Sequence, residues 1–265
     1  MSPIILAVES IGLLAPGLAG WVASQSILTG EQPYSATPMP TPSAALLPAN
    51  ERRRVTGLVK LALHVAQDAI TQANRDPRII PTVFASSGGD SEVLDKICVA
   101  LTLPDRPVSP THFHQSVHNT TAGYWSIATG CRHASISLSA HDGSFPAGLR
   151  EAATLAWLES APVLLIAYDV PHPFPLSERR GIVAPFGVAL LLNPAPGDQR
   201  LATLQLTQTA ANASTVIADP GLETLRIGNP AARCLPLLQA IARPAGQRIT
   251  LADDGNMGLL IEVQP

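Results

Sequence analysis

Several groups of residues in this chain have types and spacings that could do chemistry. His112, His114 and His118 make an HxHx3H pattern. If 114–118 is helical, the last two share a face at i and i+4, a spacing suited to zinc. No cysteine or glutamate in the neighbouring sequence completes a ligand set, so the expectation is no metal, with the histidines standing in a loop-helix segment. His141-Asp142 with Ser144 offers a base, an acid and a hydroxyl nucleophile. Adjacent side chains on a strand or tight turn point apart, and no G-x-S-x-G elbow surrounds Ser144. Ser87-Gly88-Gly89-Asp90 is glycine-rich but lacks the lysine of a phosphate-binding loop, so it reads as a structural turn. Cys98, Cys131 and Cys234 form neither a CxxC pair nor a disulfide framework, which fits a reducing compartment. The seven histidines end at His172, leaving none in residues 173–265.

The elements that must position these residues follow from periodicity. IILAVESIGLLAPGLAGWVA near the N-terminus has no positive n-region, because the first basic residue is Arg52, and Glu9 interrupts its apolar run. It reads as a buried strand, a loop and a short helix rather than a signal peptide. Residues 32–50, with Pro33, Pro38, Pro40, Pro42 and Pro48, form a loop or extended wrap. Val55, Leu58, Leu61, Val65 and Ile70 predict one amphipathic helix from Arg52 to Asn74. A strand is expected over 79–87 and a helix over 91–103. Another helix runs over 119–129, a short strand over 135–139, a helix over 149–159, and buried strands over 162–168 and 186–193. The helix joining the strands at 135–139 and 162–168 gives the βαβ pattern of a mostly parallel sheet. The tail is expected to hold a strand at 201–209, a helix at 229–242 and a hairpin at 248–263 turning at Asp254-Gly255. Trp125 and Trp157 read as core residues. No repeat or linker divides the chain.

Composition narrows the function classes. At 265 residues, with 46% hydrophobic and 14% charged residues, the chain can bury a substantial core and has little polar surface to spare. Such a surface suggests a permanent partner. A net charge of −3 and only two lysines, Lys60 and Lys96, leave no nucleic-acid footprint. No segment reaches the roughly 20 uninterrupted apolar residues of a membrane span. Asn119-Thr120-Thr121 and Asn212-Ala213-Ser214 are formal glycosylation sequons, irrelevant in a cytoplasmic protein; the Asn119 side chain is expected to hydrogen-bond local backbone.

Residues 109–169 carry a resemblance. SPTHFHQSVHNTTAGYWSIATGCRHASISLSAHDGS, then EAATLAWLESAPVLLIAYD, is similar to the stretch around the nucleophilic cysteine of β-ketoacyl synthases. Ser109-Pro110, Asn119, Ala122-Gly123, Gly130, Ser135-Ile136-Ser137, Glu151-Ala152-Ala153 and Ala161 match that pattern without a gap. About 60 residues align this way, and weaker similarity runs from residue 4 to about 195. In this register the cysteine position is Asp142, with His141 beside it. A carboxylate cannot form the acyl thioester, and no cysteine lies between Cys131 and Cys234. The two C-terminal histidines of the family, in HGTGT-like and GH..GA-like motifs, are absent as well.

The resemblance implies an α/β thiolase-like fold built on the ketosynthase N-terminal half: a mixed five-stranded sheet flanked by helices. It also implies one truncated domain, with residues 1–195 like that half and 196–265 an abbreviated remainder. It is closest in kind to the cysteine-less chain-length factors of bacterial type II polyketide systems, above all the short ones of aryl polyene clusters. What that implies is a non-catalytic, cytoplasmic subunit without a cofactor, paired with a catalytic ketosynthase through a strand near 135–139 and meeting acyl carrier protein through the complex. Phe113, Ser116, Val117, Asn119 and Thr120 would then border the acyl tunnel and the dimer interface. Two other readings stay open: a free-standing hydrolase or decarboxylase using the Ser139–Ser144 loop, and a scaffold that sets no chain length.

Overall fold

The first long strand is as apolar as its sequence promises, and it is the strand around which the rest is ordered. The computed structural model describes residues 3–195, 200–210, 213–252 and 257–265. In chain order the strands are β1 (Ile4–Ala15), β2 (Leu18–Ala19), β3 (Thr82–Ala85), β4 (Ser135–Leu138), β5 (Val163–Asp169), β6 (Phe186–Asn193), β7 (Ala202–Thr209), β8 (Gln247–Ala252) and β9 (Gly258–Gln264). The helices are α1 (Trp21–Thr29), α2 (Ala49–Arg52), α3 (Gly57–Gln72), α4 (Ser91–Thr102), α5 (Pro110–Gln115), α6 (Thr120–Thr129), α7 (Ser144–Glu159), α8 (Leu176–Arg179), α9 (Pro220–Gly228) and α10 (Leu235–Ala242). Among the described residues, no helix is long and apolar enough to cross a membrane.

The strands form one sheet in the order β4-β3-β5-β6-β1-β7-β9-β8, with β2 paired to β1. The run β4-β3-β5-β6-β1 is the mixed five-stranded sheet expected from sequence. It does not stop at five, however. The first half of β1 pairs with β7, so the tail extends the same sheet to nine strands among the described residues. β7 can do this because it alternates, with Ala202, Leu204 and Leu206 buried and the intervening residues partly exposed. The expectation of a mostly parallel sheet is also corrected. Only β3–β4 and β3–β5 are parallel; the other six pairings are antiparallel. Parallel pairing needs a crossover long enough to carry the chain back. α4 to α6 and α7 provide that, whereas the four-residue α8 between β5 and β6 does not.

Two apolar layers hold the sheet. On one face Leu61, Val65 and Ala66 of α3 and Trp125 of α6 pack over Leu164, Ile166 and Leu191. On the other, Phe145, Leu149 and Ala152 of α7 and Leu235, Leu237 and Leu238 of α10 pack over Leu165, Val188, Leu204 and Ile261. The helix expected from Arg52 to Asn74 is broken in two, because Thr56 caps α3 by accepting from the Val59 N–H at 3.4 Å. Helix α7 starts five residues earlier than expected, its Pro146 being tolerated in the first turn. Trp125 is 2% exposed, but Trp157, expected in the core, is 60% exposed on the last turn of α7. Glu9 falls at a β-bulge in β1, where Arg75 grips it through Nη2 at 2.6 Å and Nε at 3.0 Å. The expected turn at Asp254-Gly255 and the residue Asn212 lie outside the described residues.

The two ends of the sheet differ. At the β8 end the segment around Thr215 covers the edge: the Thr215 N–H donates to the Thr250 carbonyl at 2.8 Å, while the N–H groups of Thr250 and Ala252 donate to the Thr215 and Ser214 hydroxyls, each at 2.9 Å. At the other end β4 pairs with β3 alone among the described strands.

Candidate functional site

The C-terminal ends of the parallel strands β3, β4 and β5 bring three loops together, and this is where open α/β sheets place their ligand crevices. The loops are residues 86–90, 139–143 and 170–172. Asp169, the last residue of β5, organises the first of them. Its Oδ1 accepts from the Ser86 hydroxyl at 3.1 Å and from both the Ser87 N–H and hydroxyl at 2.9 Å. Ser86 accepts from the Gly89 N–H at 3.1 Å, and Gly89 takes φ +60, a turn suited to glycine. Asp90 then caps α4 through the Val93 N–H. The glycine-rich segment is thus a structural turn, as read from sequence. His172 Nδ1 lies 2.7 Å from the Ser91 hydroxyl, and its ring sits so close to Gly88 that a Cβ there would approach Cε1 to 3.1 Å.

Burial sets the electrostatics. Asp169 is 2% exposed, and desolvation pushes its carboxyl up to about 6 against the opposing hydrogen bonds from Ser87 and Ser86 and the charge of Arg180. Burial also holds His172 below its ordinary value, helped by the Arg180 charge.

Asp142 lies two residues ahead of α7, in the strand-turn-helix passage from β4, after His141 at φ +47. Two guanidinium groups hold it. Arg180 Nη1 reaches Oδ1 at 2.6 Å and Arg233 Nη2 reaches Oδ2 at 3.3 Å, while His141 Nδ1 stands 3.9 Å from Oδ1. Ser144 is 1% exposed; its hydroxyl donates to the His141 carbonyl at 2.7 Å and accepts from the Ala140 N–H at 3.0 Å. The proton and one lone pair of that hydroxyl are spent on the turn, which disfavours it as a nucleophile. Ser139 donates to the Ser87 carbonyl at 2.8 Å, tying the two loops together.

The second group of expected site residues lies on α5 and the turn after it. Phe113 and Val117 are 68% and 50% exposed. Ser116 donates to the Phe113 carbonyl at 2.8 Å and Thr120 to the His114 carbonyl at 3.2 Å, so both hydroxyls serve local turns. Asn119 is exposed at the start of α6 and makes no side-chain capping bond, contrary to the expectation that it would bond local backbone. Helix α5 ends at Gln115, whose buried amide donates to the Arg54 carbonyl at 2.6 Å. His114 and His118 therefore do not share a helix face. His114 instead sets its ring edge-on to Tyr124 at 6.4 Å. Among the described residues no group of three His, Cys, Asp or Glu side chains is arranged to hold a metal.

Helix α4 is apolar yet poorly covered: only Ser91 and Val93 are buried, leaving Leu94, Val99 and Leu101 exposed. Between α4 and the α8 segment runs a groove of about 580 Å³, lined in part by Leu94, Cys98, Pro173, Pro175 and Leu176.

Sequence reading missed Asp169, Arg180, Arg233 and Asn229. Asn229 is fully buried; its Nδ2 donates to the carbonyls of Asp169 at 3.2 Å and Ala184 at 2.8 Å, while Oδ1 accepts from the Ala231 N–H at 2.8 Å. A carboxylate closing the buried run VLLIAYD was the one available signal.

Residues 28–227 match the family described as the beta-ketoacyl synthase, N-terminal domain. No curated protein matches by sequence. In structure, the chain is similar to the ketosynthase ApeO in complex with its chain length factor ApeC from Xenorhabdus doucetiae, at TM-score 0.73 and 23% identity, over 97% of this chain and 98% of that one. It is similar to the ishigamide ketosynthase/chain length factor at TM-score 0.72 and 11% identity, over 100% and 99%. Against the ketosynthase from module 1 of the bacillaene synthase of Bacillus amyloliquefaciens the TM-score is 0.56 at 17% identity, over 80% of this chain but 47% of that one.

Proposed function

The chain belongs to the β-ketoacyl synthase family, and from that premise we propose that it is a non-catalytic chain-length-factor subunit, paired with a catalytic ketosynthase in a type II polyketide system. The observation that carries this reading is the open edge of β4, which pairs with β3 alone among the described strands. Natural sheets guard their edges with charge, proline or covering chain. The far edge at β8 is covered at Thr250 and Ala252; β4, Ser-Ile-Ser-Leu, carries no charge or proline and pairs on one side only among the described strands. That edge suits a partner of the same fold, paired strand to strand. The resemblance to complexes of a ketosynthase with a chain length factor supports the choice of partner.

The chemistry agrees. Asp142 takes the place of the thiolate, both its oxygens are held by arginine, and residues 173–265 contain no histidine to assist decarboxylation or bind an oxyanion. The chain then contributes wall rather than reaction: Phe113, Ser116, Val117, Asn119 and Thr120 are the proposed surface toward the partner's acyl tunnel.

Co-expression with a catalytic ketosynthase tests the reading. A stable 1:1 complex in sedimentation is expected, with intact mass showing acylation on the partner only. Ser116→Phe should shorten the product, because overpacking a closed site costs about 1–3 kcal/mol, roughly tenfold against the last elongation cycles. An acyl adduct on this chain, or a monomer indifferent to the ketosynthase, would overturn the subunit reading. An unchanged product length in an active complex would leave only the scaffold.

A further inference from the structure

We infer that Asp142, Arg180 and Arg233 form an electrostatic clasp that fastens the C-terminal remainder to the N-terminal half beyond the C-terminal ends of the parallel strands. The three groups come from three distant stretches of chain. Asp142 stands ahead of α7, Arg180 follows α8 in the connection between β5 and β6, and Arg233 lies in the 3-10 turn Ala231–Cys234 between α9 and α10. Each carboxylate oxygen takes a different guanidinium, so the two arginines do not compete. Charge-assisted bonds of this kind are the stronger class. The side chains are 35%, 22% and 23% exposed, which removes them from the weak regime of fully solvated surface pairs.

Helix geometry adds to the clasp. Arg233 Nη2 also donates to the Ile227 carbonyl in the last turn of α9, at 3.3 Å. One guanidinium therefore joins the electronegative end of α9 to a carboxylate beside the electropositive end of α7, an arrangement that both helix dipoles favour. Asn229, three residues after Arg226 of the same helix, reaches back to the Asp169 carbonyl, so the remainder is tied to the ends of two neighbouring loops at once. The clasp holds whether or not the chain sets polyketide length.

A double-mutant cycle on the full chain, in the assembly in which it purifies, tests the clasp. Asp142→Asn keeps the shape and removes the charge; Arg233→Gln and Arg180→Gln remove the partners. Each single variant should lower the denaturation midpoint. The pair Asp142→Asn/Arg233→Gln should cost less than the sum of its parts, with a coupling of about tenfold in the unfolding constant. Limited proteolysis of Asp142→Asn should release fragments from residues 213–265 faster than from wild type. Additive effects within about twofold, or an unchanged cleavage pattern in Asp142→Asn, would overturn the clasp. Neither result would bear on pairing with a ketosynthase, which the sedimentation experiment reads separately.

Discussion

A carboxyl titrating near 6 inside a protein is a stability statement as well as a chemical one. Asp169 has an ordinary value of 3.8 and is raised to about 6 by burial. Its folded state therefore holds a proton that the unfolded state has released. Its stabilising contribution is complete below pH about 4 and is lost as pH rises through about 6; two units correspond to about 3 kcal/mol. Asp169→Asn keeps an oxygen to accept from Ser86 and Ser87 and removes the titration. The variant should be more stable than wild type at pH 7.5, and the difference should vanish or reverse by pH 4, in denaturant titrations run at both values. Equal differences at the two pH values would mean that Asp169 does not titrate in this window. Asp142 was singled out from sequence because a local register points to it. Its arginines were not. Arg180 lies in a connection before the strand at 186–193 and Arg233 in the helix expected at 229–242, and only the tertiary fold brings them to Asp142.

Among the elements, α3 lies directly on the sheet because two glycines let it. A Cβ at Gly12 of β1 would overlap the Val65 carbonyl oxygen, and one at Gly187 of β6 would come within 2.9 Å of Leu61. Gly12→Ala would have to push a helix backbone off the sheet, and the expected loss is about 3 kcal/mol, at the upper end of overpacking costs. Gly123 is the opposite case. It sits in α6 with nothing within 4 Å of its missing Cβ. Gly123→Ala should stabilise the isolated chain by about 0.5–1 kcal/mol. If the bare helix face is kept for close approach of a partner, the same change should weaken the complex; thermal melts and sedimentation read the two effects apart. Elements whose limits are set by local chemistry were read well. Residues 186–193 form a strand as expected, with Pro185 and Pro194 at its ends. The split between α2 and α3 was missed because helical spacing continues across it, and the antiparallel bias because connection length, not strand pattern, sets direction.

At the scale of the whole molecule, the sheet edge gives the sharpest test. The Thr82 N–H donates to Ala134 and the Ser86 N–H to Leu138, so residues 134, 136 and 138 turn their backbone groups toward β3. Ser135 and Ser137 turn theirs outward. Ser137→Pro therefore removes an outward N–H without breaking a bond to β3, and proline is tolerated at such an edge. The variant should fold with a near-normal melting temperature and fail to hold the ketosynthase proposed as its partner in sedimentation. A complex that survives the substitution would show that the partner docks elsewhere. The thiolase-like core was legible because strand, turn and helix around Asp142 follow one ungapped pattern; the reach of the tail into the same sheet was not, since pairing between β1 and β7 leaves no local trace.

The segment laid over β8 has a consequence for how such assemblies end. A sheet with two open edges is a monomer for polymerisation, adding chains at either side without limit. Among the described residues this sheet has one end covered at Thr250 and Ala252 and one end open. If its partner is built on the same plan, a single pairing through β4 consumes the open end that the described residues of each present. The product is terminated at two chains, and the Ser214–Thr215 contacts with β8 act as the stopper that keeps a permanently apolar, edge-exposing protein from growing into a fibre.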